Sequence, residues 1–222
     1  MLPGMFPGGG TYSQELPSVS LADTDVTFPA TNAPSTTMDF GAVGRGRTRY
    51  LILVVTGGDG DGDTSFTISA TIGGVTATQV KAPVIEASSA DGETGFVWMG
   101  IAAVPSGTSG TVTATLTGFS GTMDNIAFAL YRAVGLSSAT PTTTPSNTSS
   151  NTLTLVVPAN GFGIGAGAED GGDQTCGAFS GTNTNAAYNG SYGVVMHRTV
   201  AGSQAHASSN TDCVLGATWT FT

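Results

Sequence analysis

The chain has 222 residues, enough for one large β-sandwich or two small domains and for a sizeable buried core. Charged residues make up 9% of it, against roughly 25% in an average soluble domain. The net charge of −9 argues against direct nucleic-acid binding, because that binding needs cations against the phosphates. Few surface charges mean little repulsion between copies. The composition therefore favours either a homo-oligomer held in a fixed assembly or a compositional bias of the source.

Residues 1–17 have the composition of an extended N-terminal arm. Prolines and a run of three glycines oppose regular pairing there. The arm also contains apolar and aromatic side chains, which a purely disordered tail would lack: Leu2, Met5, Phe6 and Tyr12. We expect these four to dock on a partner, and folding back onto the chain's own domain is the alternative. No signal-peptide pattern and no apolar run of membrane-span length occur, so no membrane partner is expected.

Arg45, Arg47 and Arg49 form a basic cluster after the arm. Side chains two residues apart on an extended segment point to the same face. The three arginines either meet an acidic partner or lie on a solvated edge strand, and we expect the edge strand.

From residue 50 onwards the pattern predicts strands. Runs 50–55, 96–101 and 126–131 are apolar throughout, which is typical of central strands covered on both faces or of strands covered by a partner chain. Alternating apolar and polar residues predict half-buried strands elsewhere: 66–72, 111–117, 152–157 and 217–222, with Thr218 and Thr220 facing out. Gly73 and Gly74 predict a two-residue hairpin.

No segment keeps a helical period, so we expect an all-β fold. Regularly spaced strands separated by glycine-rich turns favour a two-sheet antiparallel β-sandwich of the jelly-roll or lectin-like type, over residues 18–222. Residues 136–151 are dominated by Ser, Thr and Pro. This segment is either a linker that splits the sandwich into two lobes or a surface loop within one domain.

Asp59, Asp61 and Asp63 alternate with glycines directly after the first apolar run. Carboxylate oxygens on a flexible loop suit Ca²⁺, but the calcium-loop pattern of helix–loop–helix proteins fails at two key positions. We therefore expect a solvated acidic loop, with a Ca²⁺ site as the alternative and no other cofactor. A second acidic segment has the same two interpretations: Glu169, Asp170 and Asp173.

The sequence contains no recognisable catalytic constellation, so we expect that the chain is not an enzyme. His197 and His206 are its two histidines. A zinc site would need more ligands at short spacing, and no Cys-x-x-Cys pair is present to supply them. Cys176 and Cys213 are expected to remain unbridged thiols, at least one of them buried, because two cysteines do not define a disulfide framework.

Three segments carry a resemblance to a protein family: LILVVTG at 51–57, FVWMGI at 96–101 and NIAFALY at 125–131. With the Pro/Gly-rich arm and the Thr-rich strands, they resemble virion proteins of tailed bacteriophages. The resemblance implies a jelly-roll or lectin-like sandwich on the particle surface, assembled in the bacterial host cytoplasm, with no catalytic residues. The expected function is a non-enzymatic virion structural protein, a capsid decoration or a head or collar fibre subunit. Its partners would be the major capsid, collar or tail protein.

The alternative function is a carbohydrate- or receptor-binding module that presents an aromatic side chain to a glycan. Trp98 and Trp219 lie within strong strand patterns, so core packing is expected for both rather than a sugar-binding platform. A hydrolase on the same scaffold is the third hypothesis, and it lacks a constellation of residues to support it.

Overall fold

The computed structural model describes residues 13–27, 31–59, 65–86, 94–119, 123–169, 176–180, 185–190 and 193–222. In these ranges the chain forms sixteen strands and no helix, and therefore no helix that could cross a membrane. All strand pairs are antiparallel. The predicted all-β antiparallel sandwich is confirmed, but its strands are distributed over four sheets where two were predicted.

We number the strands in chain order and the sheets I to IV. Sheet I contains, in spatial order, β2 (Ser35–Asp39), β8 (Ser109–Thr117), β4 (Thr67–Ile72) and β5 (Val75–Thr76). Sheet II contains β1 (Ser18–Thr27), β9 (Met123–Val134), β3 (Arg49–Asp59), β7 (Thr94–Ala103) and β6 (Thr78–Ile85). Sheet III contains β10 (Ser146–Asn147), β16 (Cys213–Thr220), β12 (Gly161–Ala168), β14 (Gly193–Arg198) and β13 (Asn185–Gly190). Sheet IV pairs β11 (Thr152–Val157) with β15 (Gly202–Ala207).

The sheets are stacked as four layers in the order I, II, III, IV, with a separate apolar core between each neighbouring pair. The sequence of strand β3 is apolar over 50–55 because its side chains enter a core on each face of the sheet. Leu51 and Leu53 enter the core between sheets I and II, whereas Ile52 and Val54 enter the core between sheets II and III. The continuous apolar runs are therefore central strands covered on both faces by their own chain.

Glycines in sheet III make room for the side chains of sheet IV. In β12, Phe162 faces sheet II, while the alternating glycines face sheet IV. A Cβ atom at Gly165 would lie 2.6 Å from Leu153 Cδ2, and one at Gly216 would lie 2.6 Å from Leu155 Cδ2. The missing side chains form a notch that receives these two leucines, so close packing between layers explains the glycine run.

The Ser/Thr/Pro-rich segment follows the outer edge of β16, and we call residues 136–147 the edge strap. The N–H of Ser137 donates to the carbonyl of Thr220 at 3.0 Å, and the N–H of Thr218 donates to the carbonyl of Thr143 at 3.0 Å. The strap ends in β10, which pairs with β16. Thr218 is fully buried beneath it, so the prediction that this side chain faces out was wrong: the strap covers it.

Asp23 and Asp25 close one side of the stack, where edge strands β1 and β2 meet. Each carboxylate accepts the main-chain N–H of the following residue through Oδ1, at 2.9 Å in both cases. The Oδ2 atoms accept from β2, Asp23 from the N–H of Asp39 at 2.8 Å and Asp25 from the hydroxyl of Thr36. Free donors of an edge strand are thereby satisfied within the chain.

The opposite edge of sheet II is formed by β6. It carries Lys81, the single lysine of the chain, and Pro83, and its pairing with β7 shows two register irregularities. Lysine, proline and bulges are common devices against the pairing of an edge strand with a foreign chain. Both edges of this large inner sheet are thus unsuited to strand addition.

We predict that Gly100→Ala destabilises the fold by about 1–3 kcal/mol through overpacking. The indole of Trp98 lies across Gly100, and a Cβ there would sit 2.9 Å from Trp98 Cζ3. Chemical denaturation measures the loss. Gly163→Ala is the comparison variant, because its Cβ would lie 3.2 Å from three side-chain methyl groups instead of against a rigid indole, and its loss of stability should be smaller than that of Gly100→Ala. Equal losses in the two variants would contradict the role given to Trp98.

Candidate functional site

Most of the side chains predicted to carry function lie outside the described part of the chain: Leu2, Met5, Phe6, Tyr12, Asp61, Asp63, Asp170 and Asp173. Asp59 is the last residue of β3, where its backbone pairs with Thr94 and Met123, and its side chain also lies outside the described part. Glu169 is buried directly after β12. Among the described residues, no three His, Cys, Asp or Glu side chains are grouped so that they could hold a metal ion.

Residues 13–17, which we call the arm base, are fixed to the body of the protein through Glu15. The Glu15 N–H donates to the carbonyl of Arg45 at 3.0 Å, and the Glu15 carbonyl accepts from Arg47 Nε at 2.8 Å. The Glu15 carboxylate accepts from Arg132 Nη2 through both oxygens, at 2.7 and 2.9 Å. Gln14 adds a bond from Nε2 to the carbonyl of Gly46 at 2.7 Å. Residues 13–17 are therefore held in a fixed position on the body of the protein.

The ion pair at the arm base is well shielded from solvent. The Arg132 side chain is 9% exposed and the Glu15 side chain 27%. Partial burial by itself disfavours the charged carboxylate, but the hydrogen bond and charge of Arg132, with the main-chain bond from Arg45, outweigh it. The pKa of Glu15 is therefore lowered from its ordinary value.

The predicted solvated arginine strand was wrong in part. Arg45 is exposed, but only Arg49 lies in a strand, and the guanidinium groups of Arg47 and Arg49 are tied to different parts of the fold. Arg49 is fully buried at the start of β3 and donates to the carbonyls of Val104, Gly41 and Ser106 at 2.8–2.9 Å. Its guanidinium lies 5.9 Å from the centre of the Phe40 ring. A guanidinium has five donors in a planar fork, so one side chain can hold three loop carbonyls together.

Two apolar side chains at or near the arm base are exposed. Leu16, within it, is 80% exposed, and Val43 is 40% exposed. A depression of about 440 Å³ lies next to the arm base, where Val43 and Pro105 line it together with polar residues that include Arg47 and Thr48. This part of the described surface therefore combines exposed apolar groups with an arginine.

The outer face of sheet I carries a regular grid of hydroxyl groups, which we call the hydroxyl face. It has eleven serines and threonines, two in β2, five in β8, three in β4 and one in β5, and one carboxylate, Asp39, at a corner. One row crosses all four strands in register: Ser35, Thr113, Thr71 and Thr76. Of these hydroxyls, only that of Thr67 makes a hydrogen bond within the described residues, to the carbonyl of Thr117 at 3.4 Å. The others are available to a partner.

One end of the hydroxyl face opens into a cavity of about 510 Å³, which we call the glycine depression. Ser109 and Thr111 belong to both. Its other walls come from the Gly73-Gly74 hairpin and the loop at 104–107. Both hairpin glycines have positive φ, +58° and +78°, as the predicted two-residue turn requires, and the hairpin prediction is confirmed. No ionisable side chain lines this cavity within the described part of the chain.

A second cavity, of about 310 Å³, separates β6 from the edge strap. Threonines from both segments line it, with Gln79, Ile101 and Pro141. At one end Lys81 Nζ donates to the carbonyl of Thr144 at 3.2 Å and to Ser146 Oγ at 2.5 Å. Because Lys81 ties the two walls together, this groove is in part a structural joint between sheets II and III.

Neither tryptophan can act as a sugar platform in this structure. Trp98 and Trp219 are both fully buried, which confirms the predicted core packing. Each indole N–H is satisfied internally, Trp98 by Gln79 Oε1 at 3.2 Å and Trp219 by the carbonyl of Ala139 at 3.0 Å. A glycan site on this protein would have to use other groups.

Both cysteines are free and buried, which confirms the expectation of unbridged thiols. Cys213 Sγ lies 3.5 Å from the carbonyl of Val84 and 3.6 Å from that of Gly95. Burial raises the pKa of Cys213, and the charges of Glu86 and Asp212 add to the effect. Burial and Glu169 raise the pKa of Cys176 to about 12. Such thiols are poor nucleophiles.

The two histidines are held in different layers. His197 lies in β14 with its ring edge-on to Tyr131 at 5.5 Å, and burial lowers its pKa. His206 lies in β15, fully buried, with Nδ1 3.3 Å from the carbonyl of Ser180. Burial also lowers the pKa of His206. Both imidazoles are therefore packed side chains that favour the neutral form at pH 7.

No protein-family model matches the chain, and no curated protein is similar to it in sequence.

We predict that Glu15→Gln lowers the free energy of unfolding by about 1–2 kcal/mol at pH 7, because it leaves the buried Arg132 charge without its counter-charge. The folded pKa of Glu15 is lowered, so its contribution is present above the ordinary glutamate pKa of about 4.3. It is lost as the pH falls through the folded value. The difference between wild type and variant should therefore shrink below about pH 4. Urea denaturation across pH measures this difference.

Asp39→Asn is the control for the Glu15 measurement. It also neutralises a carboxylate, but on an exposed side chain that accepts a hydrogen bond from the main-chain N–H of Gly41 at 2.7 Å. Its stability should change by less than about 0.5 kcal/mol. Acid titration of His197 and His206 destabilises wild type and variants alike, so it cancels in the comparison. A Glu15→Gln effect that is constant from pH 7 to 3 would argue against the ion pair.

We predict that the native protein reacts with a thiol reagent at pH 8 much more slowly than free cysteine does, because both thiols are buried and protonated. After denaturation without reductant, two thiols per chain should react. Cys176→Ala and Cys213→Ala should each leave one. A denatured, unreduced sample without reactive thiol would show a disulfide and contradict the prediction.

Proposed function

We propose that this chain is a non-enzymatic structural protein of a virus particle, a capsid decoration or a head or collar fibre subunit, which docks through its N-terminal arm. The partner is a major capsid, collar or tail protein, and the chain acts as a homo-oligomer in the virion. Assembly takes place in the cytoplasm of the bacterial host.

The observation that carries this proposal is the fixed arm base. An arm that serves as a tether needs a firm attachment to its own body, and Glu15 supplies one through Arg45, Arg47 and Arg132. The docking side chains expected in the arm precede this attachment: Leu2, Met5, Phe6 and Tyr12. The exposed Leu16 and Val43 extend the apolar surface onto the body. A partner that receives the arm can therefore also cover the surface from which the arm leaves.

The construction of the body is consistent with an assembly component. Its three cores are built from side chains that fill the space between sheets, and strands β3 and β12 of the two inner sheets are covered on both faces. Low charge reduces electrostatic repulsion between many copies placed side by side.

A second candidate function, a carbohydrate- or receptor-binding module, is favoured by one observation, the hydroxyl face with its adjoining glycine depression. An uncharged hydroxylated surface beside a concave cavity is a plausible setting for a polar ligand. The two functions are compatible, because virion components often present a binding surface away from their attachment point.

We predict that deletion of residues 1–10 abolishes attachment without unfolding the protein, because the strands begin at Ser18 and the arm base remains. Particles of the encoding phage would be purified with wild-type or truncated protein and analysed by quantitative mass spectrometry. Wild type should be present in many copies per particle, and the truncated form should fall at least tenfold. The melting temperature should change by no more than a few degrees.

A full-length variant with Leu2, Met5 and Phe6 changed to serine separates side-chain docking from arm length. It should behave like the deletion. Absence of the wild-type protein from purified particles would refute the virion assignment. Normal attachment of both variants would refute docking through the arm.

A further inference from the structure

We propose that the hydroxyl face and the glycine depression together bind a neutral polysaccharide. The inference rests on the second candidate function above, and it assigns both the site and the chemical class of the ligand. It does not depend on where the protein sits in a particle.

The hydroxyl face offers a two-dimensional array of hydrogen-bonding groups. Strand geometry spaces its hydroxyls by about 4.8 Å across strands and about 6.8 Å along a strand. Each hydroxyl provides one donor and two acceptor sites, so each position of the array can either donate or accept a hydrogen bond. A polysaccharide chain presents hydroxyls with the same dual capacity at regular intervals. The periodic array is therefore suited to a periodic, polyhydroxylated ligand.

The glycine depression adds the apolar contact that the flat face lacks. Val75, Val104 and Pro105 line it together with the polar Ser109 and Thr111. A sugar ring has the same dual character, with C–H groups on its faces and hydroxyls at its edge. The cavity volume of about 510 Å³ falls within the usual range for small-molecule sites, so it can receive a sugar unit of a chain that lies along the face.

The depression is held open in advance of binding. Arg49 fixes the wall at 104–107 from beneath, through its bonds to the carbonyls of Val104 and Ser106 at 2.9 and 2.8 Å. On the opposite wall, the N–H of Gly73 donates to the carbonyl of Thr111 at 2.9 Å, and the pairing of Ile72 with Val75 fixes the hairpin. A preformed cavity avoids the ordering cost that a flexible loop would incur on binding.

The near absence of charge on this surface argues against charged polymers as its ligands. The combined surface has one ionisable side chain, Asp39, at its corner, and no cation among the described residues. An anionic polymer would meet no counter-charge, and a strongly basic one would lose hydration of many charges for a single carboxylate. A neutral ligand incurs neither cost.

The size of the surface determines how strongly it can bind. Strand spacing gives the hydroxyl face dimensions of about 27 by 14 Å, or roughly 400 Å². A stable protein–protein interface buries about 800 Å² on each partner, so this face is too small to hold a second protein alone. A single site should bind polysaccharide weakly, and many sites on one particle would bind a polymer surface by avidity.

The test uses the full-length protein immobilised in many copies on beads, mixed with cellulose, chitin and starch granules as neutral polymers, and with alginate and heparin as charged ones. Wild-type beads should bind at least one neutral polymer and retain it in 1 M NaCl. The double variant Ser109→Ala/Thr111→Val should reduce that binding at least fivefold. Thr154→Val, on the exposed side of sheet IV, is the matched control and should bind like wild type.

Melting temperatures establish that each variant is folded, and Thr113→Val provides a second change in the middle of the face. Binding to none of the neutral polymers would overturn the proposal, as would equal losses in the double variant and the control. Preference for charged polymers with release by salt would also overturn it. If the face variant instead abolishes self-association of the protein, the face is a contact between copies. None of these outcomes alters particle attachment, which the arm deletion tests independently.

Discussion

The burial of sheets II and III on both faces is the constraint on which the rest of this structure depends. A central strand in such a sheet has no side free for a polar residue, so β3 sends Leu51 and Leu53 one way and Ile52 and Val54 the other. The space between layers is limited, and β12 has glycines on one face because larger side chains there would collide with those of sheet IV. Charged groups are consequently displaced to strand ends, edges and loops. Any binding function must then lie on the two outer faces, in the edge grooves or at the arm base, and the surfaces proposed here are of these kinds.

Exposed edges are the second consequence of a stack of open sheets, since none of the four sheets closes on itself. The chain protects different edges by different means. Asp23 and Asp25 satisfy donors of β1 and bond across to β2, the edge strap pairs with β16, and β6 combines Lys81 with irregular pairing. These devices keep separate copies from joining through their sheets. Assembly of such a protein is therefore directed to other surfaces, and the arm is the segment best suited to that role.

Periodicity predicted the strands well because burial on one or both faces leaves a direct trace in the sequence. The alternation at 152–157 coincides with β11, and the apolar runs mark the central strands of sheet II. Long-range partners left no such trace. Arg49 was expected on a solvated edge, yet it is buried because three carbonyls from distant segments surround it. The link between Glu15 and Arg132 spans 117 positions, and no local sequence pattern predicts it. The outward threonines were visible in the sequence, but the register that aligns Ser35 with Thr113 and Thr71 requires the folded sheet.

The position of the arm base also determines how the molecule bears mechanical load. Among the described residues, a force applied through the N terminus first meets the bond from Gln14 to the carbonyl of Gly46 and then the ion pair of Glu15 with Arg132. The next contact is the pairing of Ser18 with Val134, where β1 begins to separate from β9. Farther along β1, Asp23 and Asp25 link the strand to sheet I, so peeling must break bonds to two sheets at once. The force needed to separate β1 from its neighbours should therefore rise as the strand is pulled away.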